Sequence, residues 1–195
     1  MAITNGYATL ADAKAYLGIT DAIDDTALEG AVEAASRALD AVTGRVFYTE
    51  TATRHITADT PDLLFLPWDL VSVTTMTTDD DGDRVYETTW AANDYDLEPT
   101  SGPPYTMIMT IPVGRYNFPT QRRGVAIEGV WGYASTVPAA IKQACLIMAT
   151  RYFRRKDAPF GVLGTPELGF MRITSRDPEV RQLLAPFIRT NIGAV

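Results

Sequence analysis

The spacing of apolar residues changes twice along this chain of 195 residues, and the changes restrict the folds that it can adopt. In residues 26–44 apolar side chains recur every three or four positions, which is the period of a helix with one buried face. In residues 45–132 the period is two, which indicates strands, and after residue 138 the helical period returns. The pattern predicts an α+β chain in which a helical bundle, built from residues 1–44 and 133–195, contains an inserted antiparallel β region at 45–132.

Capping patterns predict the ends of the first two helices. Thr9, with Asp12 three residues later, is typical of a helix start. Thr26 and Glu29 have the spacing of a capping box at the start of the second helix. The residues that we expect to end these two helices are Gly18 and Gly44.

Two more helices are predicted toward the C-terminus. Pro138 suits the first turn of one of them, and Asp177 with Pro178 predicts the cap and first turn of the other. We expect Leu39 in the second helix and Leu183 in the last helix to be buried, because the two terminal helical sections have apolar stripes that can cover each other. The apolar face predicted for the last helix consists of Leu183, Leu184, Phe187 and Ile188.

Strands in the β region are predicted from alternation of apolar residues and from turn signals. The segments YTMIMTI and VAIEGVW alternate most clearly, and Asp81-Gly82 is the pair that a tight hairpin turn selects. The faces predicted for these two strands carry Tyr105, Met107, Met109 and Ile111 in the first, and Val125, Ile127 and Trp131 in the second.

The acidic stretch TTMTTDDDGDRVYETT, residues 74–89, has two interpretations. With Gly82 in the sixth place of an EF-hand calcium loop, Asp79 and Asp81 fall on ligand positions. The twelfth position is then Thr88 instead of a bidentate Glu, and the flanking residues favour strands where an EF-hand needs helices. We therefore predict a solvated hairpin tip whose carboxylates converge on no ion.

Bulk composition excludes several classes of protein. The net charge of −7 gives no overall attraction to nucleic acid or to an anionic membrane. Cys145 is the only cysteine, so no internal disulfide forms, and its apolar helical context favours a buried free thiol. No stretch approaches the roughly 18 apolar residues of a membrane span, and the N-terminus lacks the pattern of a signal peptide. We expect a chain that is neither secreted by a signal peptide nor bound to a membrane.

No arrangement of catalytic residues stands out in the sequence. His55 is the only histidine and lies in a predicted strand without a nearby partner, which favours a structural or exposed role. Asp94, Asp96 and Glu98 alternate with apolar residues, which is typical of the wet face of a half-buried strand but also leaves open an acid pair for glycoside cleavage. We expect no catalytic residue, no metal and no cofactor. The alternative is an enzyme or carbohydrate-binding module that uses the acidic β region.

Two neighbouring features are candidates for contact with a partner. Basic residues end the third predicted helix, where they complement its dipole or meet an acidic partner surface or passing DNA. In residues 157–176 three glycines accompany apolar side chains that a free loop would gain little by exposing, so we expect this stretch to become ordered on contact with another subunit. The candidate contact residues are Arg151, Arg154, Arg155, Lys156, Phe160, Leu163, Leu168 and Phe170.

Taken in order, six segments resemble the head-tail connector proteins of long-tailed bacteriophages, also called head completion or adaptor proteins. The segments are YATLADAKAYLGI, ALDAVTGRVF, LPWDLVSVTTM, VAIEGVWGY, VPAAIKQACLIMATRYFRR and DPEVRQLLAPFIR. The resemblance covers most of the chain and implies that residues 1–44 and 133–195 form a helical connector core. It implies a structural virion protein, present in the host cytoplasm during assembly, with no catalytic residues. As a homo-oligomeric ring it would lie below the portal protein and above a tail-side connector or tail terminator. The ring would line a passage for DNA without sequence-specific binding and without contact with a membrane.

Overall fold

The computed structural model describes residues 2–112, 114–155, 162–163, 171–172 and 178–189. The described residues divide into two compact units, one within Met1–Gly44 and Val137–Thr190 and the other within Arg45–Thr136. The first is called the helical unit below, and the second the sheet unit.

The described residues contain four α-helices and eight strands. The helices are α1 Leu10–Leu17, α2 Asp25–Thr43, α3 Ala139–Arg154 and α4 Pro178–Leu184, and a short 3-10 helix, Ala185–Phe187, follows α4. The strands are β1 Glu50–Ile56, β2 Leu63–Thr78, β3 Thr88–Trp90, β4 Tyr95–Glu98, β5 Tyr105–Thr110, β6 Val125–Trp131, β7 Val162–Leu163 and β8 Met171–Arg172.

Local signals determine the ends of α1. The Thr9 hydroxyl accepts a hydrogen bond from the backbone N–H of Asp12 at 3.1 Å, and the Asp12 carboxylate accepts one from the N–H of Thr9 at 3.0 Å. This reciprocal pair confirms the predicted capping box. Gly18 ends α1 and Gly44 ends α2, both with positive φ, as predicted.

The capping box predicted for α2 is wrong. The helix begins at Asp25, and its N-cap, Asp24, makes no side-chain cap hydrogen bond. Thr26 therefore lies inside the first turn, where its hydroxyl cannot act as the cap residue. Asp177, the cap predicted for the last helix, lies outside the described residues, and Pro178 is the first residue of α4.

The core of the helical unit is formed mainly by α2 and α3, with α1 and α4 packed against this pair. Leu39 of α2 and Ile141 of α3 are fully buried. In α4 the buried residues are Val180 and Leu184, whereas Leu183 is only half-buried, so the predicted burial is correct for Leu39 and wrong for Leu183. Of the predicted apolar face, Leu184 is buried, Leu183 and Phe187 are half-buried, and Ile188 is exposed.

The sheet unit contains a six-stranded antiparallel sheet with the order β1-β6-β2-β5-β4, in which β3 also pairs with β2. Strand β2 is long and pairs with β5 through its first half and with β6 through its second half. A register shift between Phe65 and Leu70 separates the two halves, and such irregularities bend the strand that contains them. The predicted hairpin is confirmed as β2–β3, with Thr78 opposite Thr88.

The core of the sheet unit is rich in aromatic residues. Trp90 stacks on Phe118 with ring centroids 4.7 Å apart, and its indole N–H donates to the Thr78 hydroxyl at 3.1 Å. The residues predicted to share one face of β6, Val125, Ile127 and Trp131, are all buried. In β5 the buried residue is Ile108, on the opposite face from the predicted set. That set is the more exposed face, and Met109 within it is 39% exposed.

The predicted helical bundle is wrong. The described fold is mixed and is based mainly on the six-stranded antiparallel sheet, which has a core of its own. Of the four described helices, α1 has eight residues and α4 has seven, so each is only about 10–12 Å long. Only α2 and α3 are long enough to pack along each other over several turns. The periodicity located the helices but overestimated how much of the fold they form.

Candidate functional site

The predicted basic contact residues lie at the end of α3. The helix ends at Arg154, and the backbone N–H of Arg155 donates to the carbonyl oxygen of Arg151 at 3.1 Å. Arg154 and Arg155 are exposed and Arg151 is half-buried. Their positive charges complement the negative end of the helix dipole, and the exposed Arg154 and Arg155 can meet an acidic surface.

The other predicted contact residues are not brought to this site by the described structure. Leu163 belongs to β7, of which only the backbone is described. Lys156, Phe160, Leu168 and Phe170 lie outside the described residues.

The acidic loop, residues 79–87, differs from the predicted solvated turn. Asp79 has no exposed surface, and its two carboxylate oxygens accept backbone hydrogen bonds from Gly82 at 2.7 Å and from Arg84 at 3.0 Å. The prediction that the carboxylates are solvated is therefore wrong for Asp79. An Asp followed by Gly three positions later is a turn signal that the sequence analysis could have used.

The acidic loop also gathers carboxylates that were predicted to stay apart. One oxygen from each of Asp79, Asp81, Asp83 and Glu87 can be chosen so that all four lie within 4.8 Å of one another. Three of these side chains are exposed, and both oxygens of the fourth, Asp79, already accept N–H groups. Exposed acidic side chains of this kind are ordinary in polar turns, so the cluster alone does not make an ion site.

The acidic loop is attached to the chain segment before β6. The N–H of Asp79 donates to the carbonyl oxygen of Gly124 at 2.9 Å, and the Gln121 side chain donates to the carbonyl oxygen of Asp79. The Tyr86 hydroxyl donates to the carbonyl oxygen of Arg123 at 2.7 Å. These bonds join two loops that are about 40 residues apart in sequence and hold them at one end of the sheet.

His55 faces this loop pair but has no arrangement suited to catalysis. Its ring packs on Tyr86 with centroids 5.1 Å apart. Burial lowers the pKa of His55, and the nearby positive charges of Arg123 and Arg84 lower it further. Among the described residues, the groups around His55 are Tyr86, Arg84 and Arg123, and none of them is a carboxylate that would orient the imidazole.

Cys145 is buried in the helical unit, as predicted. Its Sγ lies 3.4 Å from the Ser36 hydroxyl, and it has no exposed surface. Burial raises the pKa of the Cys145 thiol, so the reactive thiolate is disfavoured. The surroundings are those of a structural thiol.

The acidic residues around β4 serve local backbone structure. The Asp94 carboxylate accepts the N–H of Ala91 at 2.7 Å, and the Glu98 carboxylate accepts the N–H of Thr100 at 3.0 Å. Asp96 is exposed. Two of the three carboxylates thus shape turns, and no convergent acid pair is formed among them.

An arginine between two tryptophans is a feature that the sequence analysis missed. The Arg54 guanidinium lies 4.4 Å from the ring centroid of Trp68 and 4.8 Å from that of Trp131, and it donates to the Glu50 carboxylate. Trp68 is 44% exposed. The three residues come from three strands, so their proximity depends on sheet topology and leaves no periodic signal.

None of the described helices combines the length and apolar character needed to cross a membrane. Comparison with models of known protein families gave no match. Comparison with curated proteins gave none either.

Solved structures of similar fold come from gene transfer agent (GTA) particles. One is a chain in the neck of an empty GTA particle with C6 symmetry, and another is in the virion of a native GTA particle. Each is 20% identical with a TM-score of 0.61, and the match covers 99% of this chain and 96% of the other. A third, in the neck of a native GTA particle with C12 symmetry, is 19% identical with a TM-score of 0.56 and the same coverage. At this level of identity the likeness establishes a shared fold.

Proposed function

We propose that this chain is a structural subunit of the neck of a phage-like particle, where copies of it form a ring that joins head to tail. The observation that carries the proposal is the extent of the structural likeness, which spans 99% of this chain and 96% of the neck chains. A match over nearly the whole of both chains includes both compact units in the same order. A shared common domain alone would match over a smaller part.

The symmetry of the similar assemblies supports the proposed ring. The neck chains belong to assemblies with C6 and C12 symmetry. A rotational ring needs two different surfaces on each subunit, which meet head to tail. We assign the portal protein as the partner above the ring and a tail-side connector or tail terminator as the partner below it.

The charge of the chain is compatible with a passage for DNA. At a net charge of −7, the chain as a whole repels the phosphate backbone. A conduit through which DNA moves has to avoid holding it, so sequence-specific DNA binding forms no part of the proposal.

Contact with partners is assigned to the basic end of α3 and the stretch that follows it. Arg154 and Arg155 are exposed there, and residues 157–176 contain the predicted apolar contact positions. Exposed arginines are frequent at interfaces because the guanidinium forms paired hydrogen bonds with carboxylates.

An enzyme that uses the acidic β region is the less favoured alternative. The carboxylates of Asp79, Asp94 and Glu98 accept backbone N–H groups of nearby turns. A carboxylate held in this way is occupied in shaping the chain, and a catalytic pair needs two that converge on a substrate.

The proposal is tested by changing the charge of the α3 end. The variant Arg154→Glu with Arg155→Glu should stay folded, with only a small loss of stability from the helix dipole, but lose binding to purified portal in light-scattering and pull-down assays. The matched control is Arg122→Glu with Arg123→Glu, which changes the net charge by the same amount at exposed positions of the sheet unit. Equal loss of portal binding in both variants, or in neither, would contradict the assignment of this surface.

A further inference from the structure

Part of strand β2 is paired on one side only. At Leu70, β2 has β5 on one side and β6 on the other. At Met76 it has β3 on one side and again β6 on the other. Strands β5 and β3 therefore flank the same edge of β2, and residues 71–75 between them have no described strand on that edge.

The open backbone groups are those of Val73. A β-carbon on Gly129 of β6 would collide with the carbonyl oxygen of Ser72, so this oxygen faces β6. Ser72 and Val73 pair with consecutive residues of β6, and register shifts lie on either side of them, between Leu70 and Ser72 and between Val73 and Thr75. Within the regular step the backbone groups alternate, so those of Val73 point to the open edge. An open strand edge is a template for pairing with another extended segment.

A groove of about 390 Å³ lies beside this edge. Its lining includes residues 71–73 of β2 and residues 95–97 of β4. Side chains of consecutive strand residues point to opposite faces of a sheet, so a groove on one face would not be lined by three residues in a row. Such a lining indicates that strand edges, not one face, border the groove. Strand β4 is also an edge strand, because β5 is its only partner among the described strands. The lining residues are Val71, Ser72, Val73, Ala92, Tyr95, Asp96, Leu97 and Tyr105.

The side chains that line the groove indicate which kind of segment it could bind. Val71, Val73 and Leu97 are half-buried and offer apolar contacts. Asp96 is exposed and is the one charged residue of the lining. The groove therefore suits an extended segment that carries apolar side chains and a basic one.

The hairpin formed by β7 and β8 fits these requirements. Its strands pair Val162 with Arg172 and Leu163 with Met171, and among the described strands they pair only with each other. A two-stranded hairpin is marginally stable in water and gains from pairing with a further strand. Its residues are apolar except for the basic Arg172.

We infer that the groove beside residues 71–75 of one copy receives the β7–β8 hairpin of a neighbouring copy by β-strand addition. Arg172 then provides the positive charge opposite Asp96. Groove and hairpin are two different surfaces of the same chain, as a head-to-tail ring requires. The inference rests on the proposed ring, because the ring supplies the second copy.

The test uses mixtures of single-cysteine variants. Asp96→Cys places a thiol in the groove at the position that Arg172 is expected to face, and Arg172→Cys places one on the hairpin of a separately tagged copy. Thr51→Cys, at an exposed position of β1, is the control for the groove variant. Cys145 is buried, so the engineered thiols are the ones that react. The proteins are mixed under ring-forming conditions with portal, oxidised and separated on non-reducing gels.

The inference predicts a mixed disulfide between Asp96→Cys and Arg172→Cys copies, at least about tenfold more abundant than the Thr51→Cys product, because disulfides need Cβ atoms within about 4.5 Å. Rings that form without this selective product would overturn the inference and leave the proposed function intact. A chain that stays monomeric with portal would overturn both. A further variant carries both Asp96→Cys and Arg172→Cys in one chain. Crosslinking within that chain, but not between mixed copies, would place the hairpin in its own groove and also refute the inference.

A second variant tests the groove without engineered thiols. Ala92→Trp fills the groove from an exposed turn, so the melting temperature should change little while ring formation is lost. Thr51→Trp is the control, and it should form rings normally. Normal rings from Ala92→Trp would contradict the inference.

Discussion

Replacing Asp79 with Asn should destabilise the sheet unit substantially, although the change removes only a charge and one acceptor position. The parent carboxylate accepts N–H groups at both oxygens, from Gly82 at 2.7 Å and from Arg84 at 3.0 Å. An amide has one oxygen, so its NH₂ group must face one of these two donors. The Asp79 side chain has no exposed surface, so water cannot solvate the amide group that faces an N–H group. Since a hydrogen bond to a charged group contributes about 1.5–3 kcal/mol, we expect a loss of about 1.5–3 kcal/mol.

The assay is urea unfolding at neutral pH followed by tryptophan fluorescence. The three tryptophans, Trp68, Trp90 and Trp131, all belong to the sheet unit, so their emission reports on the unit that contains Asp79. The matched control is Asp81→Asn, because Asp81 is exposed and its carboxylate accepts a weaker backbone bond, from Asp83 at 3.2 Å. The control should stay within about 0.5 kcal/mol of the parent. Equal stability of the two variants would refute the assignment of Asp79 as the residue that organises the acidic loop.

The same variants separate a turn from an ion site. If the loop is only a turn, millimolar calcium should shift the unfolding midpoints of the parent and of Asp81→Asn by the same small amount. A large calcium-dependent gain in the parent that Asp81→Asn lacks would show that the clustered carboxylates bind the ion.

Three further predictions concern the helical unit. A hydrogen bond from Lys142 is the main cause that lowers the pKa of Asp12 from 3.8 to about 2. The stability that ionised Asp12 contributes is therefore fully present above pH 3.8 and is lost as the pH falls through about 2. The stability deficit of Asp12→Asn, measured by thermal unfolding, should therefore shrink over that window, and a constant deficit would contradict the ion pair. Cys145 should not react with a disulfide reagent at mildly alkaline pH until the chain unfolds, because burial raises its pKa; rapid labelling of the native chain would contradict this. Leu184→Ala should cost about 2–5 kcal/mol in urea unfolding followed by far-UV circular dichroism, and Leu183→Ala distinctly less, whereas the reverse order would refute the packing of α4.

Features that depend on neighbouring residues could be predicted from the sequence. The Thr9–Asp12 cap and the stop at Gly18 involve residues within one helical turn, and both were correct. The β2–β3 pairing was correct because Asp81-Gly82 favours a hairpin, but its loop is nine residues long and was predicted as a tight turn. The long loop depends on bonds from Asp79 to the distant segment before β6, which no local pattern contains.

Features that depend on topology could not be predicted. Alternation in β5 gave two possible faces, and only the packing of the sheet shows that Ile108 is inside. The groove combines residues of β2 with residues of β4 more than 20 positions later, and it exists because β5 and β3 leave part of β2 unpaired. The predicted helical bundle was wrong for a related reason, since periodicity identifies the type of an element but not which elements dominate the core.

We expect copies of this chain to assemble into a ring on a portal. Negative-stain and cryo-electron microscopy of the purified chain, alone and mixed with its portal, would show this assembly. We expect rings with rotational symmetry seated coaxially on the portal, with an open axial passage wide enough for duplex DNA. A chain that remains monomeric and unbound at high concentration with portal, or that binds without forming a closed ring, would contradict this expectation.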